Sequence, residues 1–286
     1  KERPAVLFSK GGFVSVPPCY AARVLHIPVY THECDFSPGL ATRLNSGAAR
    51  RILVSYAESL RFFSIKMQKK VLVTGNPVRP VFYTASRERG LQFLGFSEAD
   101  VSSKPLLLIL GGSSGARQIN TLVQDNLEWL CSRFIVVHQT GPAHEARIPD
   151  GASDAVRACY HPYQFIYAEM PDVLAACDVV LSRAGANSLA EFIVTHTPMV
   201  LIPLCGSGTR GDQVENAAFL AQKKAALVLN GADADALHLR EYLERMTDSA
   251  FRSACRTCTA ALCTTERPAQ KIAQLLYEEN IRCLLP

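Results

Sequence analysis

The segment DVVLSRAGANSLAEF, residues 178–192, contains an apolar run, a turn of small residues and the start of a helical pattern. An apolar run without alternation is typical of a parallel strand that is covered on both faces. Ala184, Gly185 and Ala186 make the turn small, and Glu191 follows one helical turn later. An ordinary connection in which glycine relieves crowding would look the same. The rest of the chain has to decide between these interpretations.

The same order of apolar run and helical pattern repeats along the chain. Strands are predicted at residues 5–8, 28–32, 51–55, 70–75, 105–112, 134–141, 155–161, 178–183, 198–204 and 226–231. Helices are predicted at residues 18–25, 37–49, 118–132, 170–176, 187–195 and 212–223, with a mainly helical tail over 237–279. Alternating strands and helices predict an α/β protein with doubly wound parallel sheets.

Composition limits the classes of function. The 286 residues suffice for two α/β domains or one large one. Lys and Arg number 30 against 26 Asp and Glu, and this mild excess argues against a nucleic-acid partner, which usually requires a concentrated basic face. It fits an anionic small ligand or an anionic membrane surface equally well. The sequence contains no apolar run of about 18 residues, so no membrane span is predicted.

The ten cysteines lie mostly within apolar segments, where reduced cysteine packs as a small hydrophobic side chain. Their irregular spacing indicates a reducing compartment such as the cytoplasm. Cys255 and Cys258 form a CxxC pair, but no second pair stands at zinc spacing, so a helix face is favoured. We therefore predict neither a metal site nor a cofactor.

The segment LGGSSGARQIN follows a predicted strand and opens a helix. Its glycines allow backbone amides to approach an anion, and the helix start supplies unpaired N–H groups. With the hydroxyls of Ser113 and Ser114, the segment predicts a cradle for a diphosphate. It lacks both the P-loop ending and the GxGxxG spacing of dinucleotide sites. A glycine-rich turn that binds nothing is the alternative.

The loop SRAGANSLAEF has the same character, and it follows another strand. Small residues permit close approach of a phosphate or sugar, and Glu191 could accept hydrogen bonds from the two hydroxyls of a ribose. Phe165 and Ile166 offer an apolar slot for a base, although core packing explains this pair equally simply. Together the loops predict a nucleoside diphosphate site at the carboxyl ends of the strands.

The segment THECDFSPGL follows a strand in the first part of the chain. His32 and Glu33 could act there as acid, base or ligands of sugar hydroxyls. A single histidine at a strand end is more often a structural hydrogen-bonding group, so both roles remain open.

Six motifs carry a resemblance to a known family. In this order, GGFVSVPP, HECDFSPGL, GNPVR, GGSSGARQIN, SRAGANSLAE and RGDQVENA resemble the MurG family, the N-acetylglucosaminyltransferases of bacterial peptidoglycan synthesis. The resemblance implies a GT-B fold, with two Rossmann-like domains built on parallel sheets. Residues 1–79 would form the C-terminal half of an acceptor domain and 80–87 a linker. Residues 88–267 would form the UDP-sugar domain, and 268–286 a helix crossing back to the first.

The resemblance also implies a reaction. Members transfer N-acetylglucosamine from UDP-GlcNAc to lipid I, which is undecaprenyl-pyrophosphoryl-MurNAc-pentapeptide, and form lipid II with inversion and without a metal. They work peripherally on the cytoplasmic face of the bacterial inner membrane, beside other cell-wall synthesis proteins. The alternatives are another GT-B transferase that uses a UDP-sugar on a different lipid or glycan, and a nucleotide-binding module without catalysis.

Family roles transfer residue by residue. The implied contacts with UDP-GlcNAc are Asp35, Arg79, Ser113, Ile166, Ala186, Asn187, Ser188, Leu189, Ala190, Glu191 and Gln213. Among them Ser113 and Arg79 resemble diphosphate contacts, and Ile166 resembles the residue whose backbone reads uracil. Gln213 resembles a glutamine that binds the N-acetylglucosamine. Asp35 stands where many members have Asn, which exchanges a hydrogen-bond donor for a charge.

One family motif has no counterpart in the chain. Members begin with a GGTGGH loop whose histidine is a candidate base for the acceptor hydroxyl. The present sequence begins near the family's second glycine-rich loop, so we expect an N-terminal truncation and an incomplete acceptor domain. Of the residues present, His32 and Glu33 are the remaining catalytic candidates.

Overall fold

The protein is described by a computed structural model over residues 4–112, 115–206, 209–264 and 266–280. Its chain divides into two compact units. Unit 1 spans Lys1–Val78 and Thr264–Pro286, and unit 2 spans Arg79–Cys263.

Unit 1 is built on a four-stranded parallel sheet in the order β1-β2-β3-β4. The strands are β1 (Leu7–Ser9), β2 (Val29–Glu33), β3 (Arg51–Val54) and β4 (Val71–Val73). Between them lie α1 (Val16–Val24), α2 (Leu40–Ala48) and α3 (Ile65–Gln68), with 3-10 helices at Phe13–Ser15 and Ala57–Phe62. All five residues of β2 are buried, as expected for a parallel strand covered on both faces.

Unit 2 is built on a six-stranded parallel sheet. Its strands are β5 (Leu106–Leu110), β6 (Ile135–Gln139), β7 (Tyr160–Tyr163), β8 (Val179–Ser182), β9 (Met199–Leu201) and β10 (Ala226–Val228). Its helices are α4 (Arg87–Leu94), α5 (Arg117–Asp125), α6 (Leu127–Arg133), α7 (Asp154–Cys159), α8 (Met170–Ala176), α9 (Ala186–Val194), α10 (Asp212–Gln222), α11 (Ala236–Arg245) and α12 (Ser249–Ala260). Short 3-10 helices occupy Pro80–Thr84 and Gly231–Asp233. The predicted parallel α/β architecture is thus confirmed.

The strand order in unit 2 is β10-β9-β8-β5-β6-β7. The chain moves outward from β5 in one direction through β6 and β7, and then returns to the other side of β5 with β8. In sheets of this kind ligands bind outside the carboxyl ends of the strands, at the point where the order reverses. That point lies between β5 and β8, where Leu110 pairs with Ser182.

Two sequence predictions in unit 2 were wrong. The strand predicted at 155–161 is mostly helix α7, because Ser153 caps it with a side chain that accepts from the Val156 N–H at 3.2 Å. The single helix predicted at 118–132 is broken at Asn126, whose side chain donates to the carbonyl of Leu122 at 2.7 Å. Local side-chain bonds to the backbone of this kind compete with regular structure.

Residues 80–87, which we expected to form a linker, lie in unit 2 as a 3-10 helix and the start of α4. Phe82 is buried, and the N–H of Ser86 donates to Asp172 at 2.7 Å. The segment is therefore packed onto α8 by specific contacts.

Helix α13 (Pro268–Asn280) belongs to unit 1. Glu279 near its end accepts a hydrogen bond from the hydroxyl of Tyr30 at 2.6 Å and two from the guanidinium of Arg51 at 2.9 and 2.7 Å. These charge-assisted bonds tie the last helix to β2 and β3. Within the described residues, no helix has the length and apolar character needed to cross a bilayer.

We expect Gly90→Ala to destabilise unit 2. A Cβ at Gly90 would lie 2.0 Å from the carbonyl oxygen of Asp172 in α8, and this backbone atom cannot move away cheaply. Overpacking of this kind typically costs about 1–3 kcal/mol. Urea denaturation measures the loss.

Gly185→Ala is the matched control, because a Cβ there meets nothing within 4 Å and φ is −72°. At a helix N-cap this change should cost no more than about 1 kcal/mol, since glycine is a better N-cap residue than alanine. Equal unfolding midpoints for the two variants would show that α4 and α8 can move apart to admit the added Cβ at little cost in stability.

Candidate functional site

Three loops of unit 2 start side by side at the carboxyl edge of its sheet. Leu110 pairs with Ser182, and Ser182 pairs with Leu201. The residues that follow these strand ends, Gly111, Arg183 and Ile202, therefore begin adjacent loops. The predicted convergence of the glycine-rich loop and the SRAGANSLAEF loop follows directly from this register.

The glycine-rich loop after β5 turns back sharply on itself. A Cβ at Gly111 would lie 2.3 Å from the amide nitrogen of Ala116, and one at Gly115 would lie 2.5 Å from the carbonyl oxygen of Thr140. Only glycine fits either position without moving backbone atoms. Gly112 has a positive φ of 81° and faces open space.

Helix α5 begins directly after this loop with Ala116 as its N-cap residue, and no side chain among the described residues caps it. The N–H groups of its first turn could thus donate hydrogen bonds to an anion. Ser113 and Ser114, to which we assigned hydroxyl contacts with a diphosphate, lie outside the described residues.

The turn after β8 is clamped by helix α10. The side-chain oxygen of Gln213 accepts from the N–H of Ala184 at 3.3 Å and from the N–H of Leu204 at 3.0 Å. The side-chain amide of Asn216, one turn along α10, donates to the carbonyl of Ala184 at 3.2 Å. Both backbone polar groups of Ala184 are therefore held by one helix.

Helix α9 carries most of the residues that were predicted to contact UDP-GlcNAc. Gly185 is its N-cap residue and has no side chain with which to cap the helix. Leu189 and Ala190 are buried, so they could contact a ligand only through their backbone. Ala186 and Ser188 are half-buried and Asn187 is exposed, which leaves the first turn accessible.

The carboxylate of Glu191 is half-buried on α9. Burial raises its pKa above the ordinary value, and the positive charge of Arg79 acts in the opposite direction. No group among the described residues donates a hydrogen bond to this carboxylate. A partly desolvated acceptor without a donor is suited to the hydroxyl groups of a ligand.

Arg79 is exposed and stands at the start of the 3-10 helix Pro80–Thr84, which contacts α9. Its guanidinium lies 5.1 Å from the ring centroid of Phe82, a cation–π distance. Its positive charge acts to lower the pKa of Glu191, and therefore lies near the residues that were predicted to contact ribose and phosphate.

The side chain of Ile166 does not line the apolar slot that was expected to hold a base. Its side chain is buried in the core, and its backbone N–H donates to the side-chain oxygen of Gln139 at 2.9 Å. The rings of Phe165 and Tyr167 beside it have centroids 4.6 Å apart. Any apolar slot for a base would therefore be formed by these rings and not by the side chain of Ile166.

His32 lies in unit 1 and is fully buried. Its Nε2 lies 2.9 Å from the carbonyl oxygen of Gly75, to which it must donate, and its Nδ1 lies 3.6 Å from the Cys34 sulfur. Burial lowers the pKa of His32 to about 4, so the ring is neutral at neutral pH. Both ring nitrogens are engaged, which favours the structural alternative.

The carboxylate of Glu33 is also engaged within unit 1. It accepts from the N–H of Asp35 at 3.2 Å and from the N–H of Gly39 at 2.9 Å. Since Gly39 is the N-cap residue of α2, Glu33 holds the loop that leads into this helix. Asp35 lies in the same loop. It was predicted to contact UDP-GlcNAc, at a position where many family members have Asn.

The described residues contain no group of three or more His, Cys, Asp or Glu that could hold a metal. Sequence reasoning also left three residues without a role: Gln139, Arg183 and Asn216. Asn216 and Gln139 had no recognisable signal, because their contacts join segments distant in sequence. Arg183 did have one, as the only cation in an otherwise small and neutral turn.

Known proteins that resemble the chain point to one family. The glycosyltransferase family 28 C-terminal domain matches residues 106–276, and the family 28 N-terminal domain matches residues 1–54. In a search of solved structures, the crystal structure of MurG from Acinetobacter baumannii aligns with a TM-score of 0.72 at 22% identity, over 96% of this chain and 74% of that one. Together they show the GT-B fold.

Two sequence relatives are spirochaetal. A protein of Treponema denticola is 50% identical over 239 residues, 82% of this chain and 60% of its own length. A protein of Treponema pallidum subsp. pallidum is 49% identical over 234 residues, 81% of this chain and 60% of its own. Both are named UDP-N-acetylglucosamine–N-acetylmuramyl-(pentapeptide) pyrophosphoryl-undecaprenol N-acetylglucosamine transferase.

We expect Glu191→Gln to stabilise the protein at neutral pH. A raised pKa means that the folded state holds this proton more tightly than the unfolded state. The resulting stability is present below the ordinary carboxyl pKa and is lost as the pH rises through the raised pKa. Glutamine cannot ionise, so its advantage in unfolding free energy should grow with pH.

Urea denaturation at several values between pH 4 and 8 measures this difference. Glu88→Gln, at an exposed position in α4, is the matched control and should show no such growth. A difference for Glu191→Gln that stays constant with pH, or falls, would contradict the burial of an unpaired carboxylate.

Proposed function

The chain belongs to glycosyltransferase family 28, and we propose that unit 2 binds UDP-GlcNAc as the donor for transfer of N-acetylglucosamine to lipid I, giving lipid II. Both spirochaetal relatives carry the name of this transferase. The chain spans about 60% of the length of these relatives, so the transfer reaction is proposed for the whole protein.

The observation that carries the proposal is the half-buried carboxylate of Glu191 on α9, to which no group among the described residues donates a hydrogen bond. A ribose presents two adjacent hydroxyls, which a carboxylate can accept together. The start of α5 is adjacent through the pairing of β5 and β8, and we propose that it receives the diphosphate attached to that ribose. Close approach is allowed by Gly112 and Gly185, at which an added Cβ would meet nothing within 4 Å.

The chemistry of such a site is displacement at the anomeric carbon. The acceptor hydroxyl forms the new C–O bond and loses its proton to a base, while the bond to the diphosphate breaks and UDP leaves with inversion at the anomeric carbon. Negative charge then grows on the diphosphate. The N–H groups at the start of α5, the hydroxyl of Ser188 and the guanidinium of Arg79 would stabilise it, which is electrostatic preorganisation.

Gln213 is placed to serve the sugar in this proposal. Its oxygen is committed to the backbone N–H groups of Ala184 and Leu204. The amide orientation is thereby fixed, and its nitrogen is left to donate to a sugar hydroxyl. The backbone of Ile166 would read uracil once the side chain of Gln139 releases its N–H.

His32 and Glu33 already use their polar atoms within unit 1, and we assign neither of them as the general base. Asp35 remains proposed as a donor contact. An undecaprenyl acceptor is held in a bilayer, so we further propose that the protein works peripherally, on the cytoplasmic face of the membrane where UDP-sugars are present.

Calorimetric titration with UDP tests the donor site. We expect Glu191→Ala to weaken UDP binding by about 1–3 kcal/mol, the scale for a lost hydrogen-bond partner of a charged group. Glu88→Ala is the control and should leave the affinity unchanged. If UDP bound Glu191→Ala as tightly as the wild type, the ribose would lie elsewhere.

The reaction itself is tested with UDP-GlcNAc and a lipid I analogue in the full-length protein. We expect sugar transfer from UDP-GlcNAc and much slower transfer from UDP-glucose, because glucose lacks the N-acetyl carbonyl to which the side-chain nitrogen of Gln213 could donate. Transfer to a different glycan or lipid, and not to lipid I, would favour another transferase of the same fold. UDP binding without transfer to any acceptor would favour a binding module.

A further inference from the structure

Arg183 has the one cationic side chain in the turn between β8 and α9. It is half-buried, and burial lowers its pKa from the ordinary arginine value without bringing it near neutrality. No carboxylate among the described residues forms an ion pair with it. A partly desolvated positive charge without a counter-charge is costly unless a ligand supplies one.

The position of this guanidinium is set by neutral oxygens. Its Nη1 donates to the side-chain oxygen of Gln118 at 2.9 Å and to the carbonyl of Ile202 at 3.0 Å, with the Pro203 carbonyl at 3.5 Å. Gln118 belongs to the first turn of α5, and Ile202 follows β9. Arg183 thus joins the loops that begin at three neighbouring strands.

The remaining donors of Arg183 are uncommitted. A guanidinium has five N–H groups, and in the described part of the chain Nε and Nη2 donate to no acceptor. The residue precedes the N-cap of α9 by two positions and touches the first turn of α5. Its fork is therefore anchored at one nitrogen beside the starts of α5 and α9.

We propose that Arg183 contacts the diphosphate of the bound nucleotide and supplies the positive charge that compensates it. This inference rests on the proposed donor site in unit 2 and adds a residue to it. Arginine suits the role because its planar fork binds two phosphate oxygens at once. In the transfer reaction the same contact would stabilise the charge that builds up on the departing UDP.

The test compares ligands that differ only in phosphate content. Uridine, UMP and UDP are titrated by calorimetry into the wild-type chain, Arg183→Gln and Arg183→Lys. Arg157→Gln is the matched control, because Arg157 is exposed on α7 and donates to the nearby Ala152 carbonyl. Thermal unfolding of each variant is measured alongside.

We expect Arg183→Gln to weaken UDP binding by about 10- to 100-fold, the range for losing charge-assisted hydrogen bonds. Uridine binding should change less than about twofold, since the base and ribose contacts are untouched. Arg183→Lys keeps the charge but loses the fork, so its loss for UDP should be smaller. Raising the salt concentration should weaken UDP binding more in the wild type than in Arg183→Gln.

Equal losses for uridine and UDP in Arg183→Gln would overturn the proposal and indicate a role in loop structure only. So would unchanged UDP affinity. If Arg183→Gln does not fold, Arg183→Lys decides: a loss confined to the phosphate-containing ligands supports the contact, and any other pattern refutes it. Absence of UDP binding by the wild type would instead refute the donor site itself.

Discussion

The carboxyl edge of the sheet in unit 2, where three loops start side by side, depends on how closely the backbone folds back on itself after β5. The 2.3 Å that would separate a Cβ at Gly111 from the nitrogen of Ala116 leaves no room for any side chain. The same return brings the loop against the carbonyl of Thr140, where Gly115 is required. Because the turn is this tight, α5 begins close to the sheet edge, beside the loop that follows β8.

A buried polar network supports this loop from the side of the core. Asn120 on α5 donates to the Thr140 carbonyl at 2.9 Å, and the Nε2 of His138 lies 3.1 Å from the Asn120 side-chain oxygen. The other ring nitrogen of His138 lies 2.9 Å from the hydroxyl of Tyr160. Burial lowers the pKa of His138 to about 4, so the ring is neutral, donates through Nε2 and accepts through Nδ1. Each hydrogen bond in this network therefore has one defined direction, and together the bonds fix the first turn of α5.

The pattern of apolar runs without alternation was sufficient to predict the parallel sheets, because strands such as β5 and β6 are buried along their whole length. It failed at 155–161, where a single side-chain cap turned an apolar segment into a helix. Loop positions were predictable because every parallel strand ends at the same edge. Side-chain partners were not: Gln139 reaches Ile166 and Glu33 reaches Gly39 through the folded backbone, and sequence spacing carries no information on either contact.

The difference between Glu191 and Arg183 shows what the structure adds at the site. Both are half-buried charges in one strand–turn–helix unit, and neither has an ionic partner among the described residues. A carboxylate in that state can accept hydrogen bonds from the hydroxyls of a ligand. Glu191 could be recognised in the sequence because it follows a loop of small residues by one helical turn. An arginine could equally have been a solvated surface residue. Only its anchoring to Gln118 and Ile202 places its charge at the junction of the loops, where a diphosphate would lie between two helix starts.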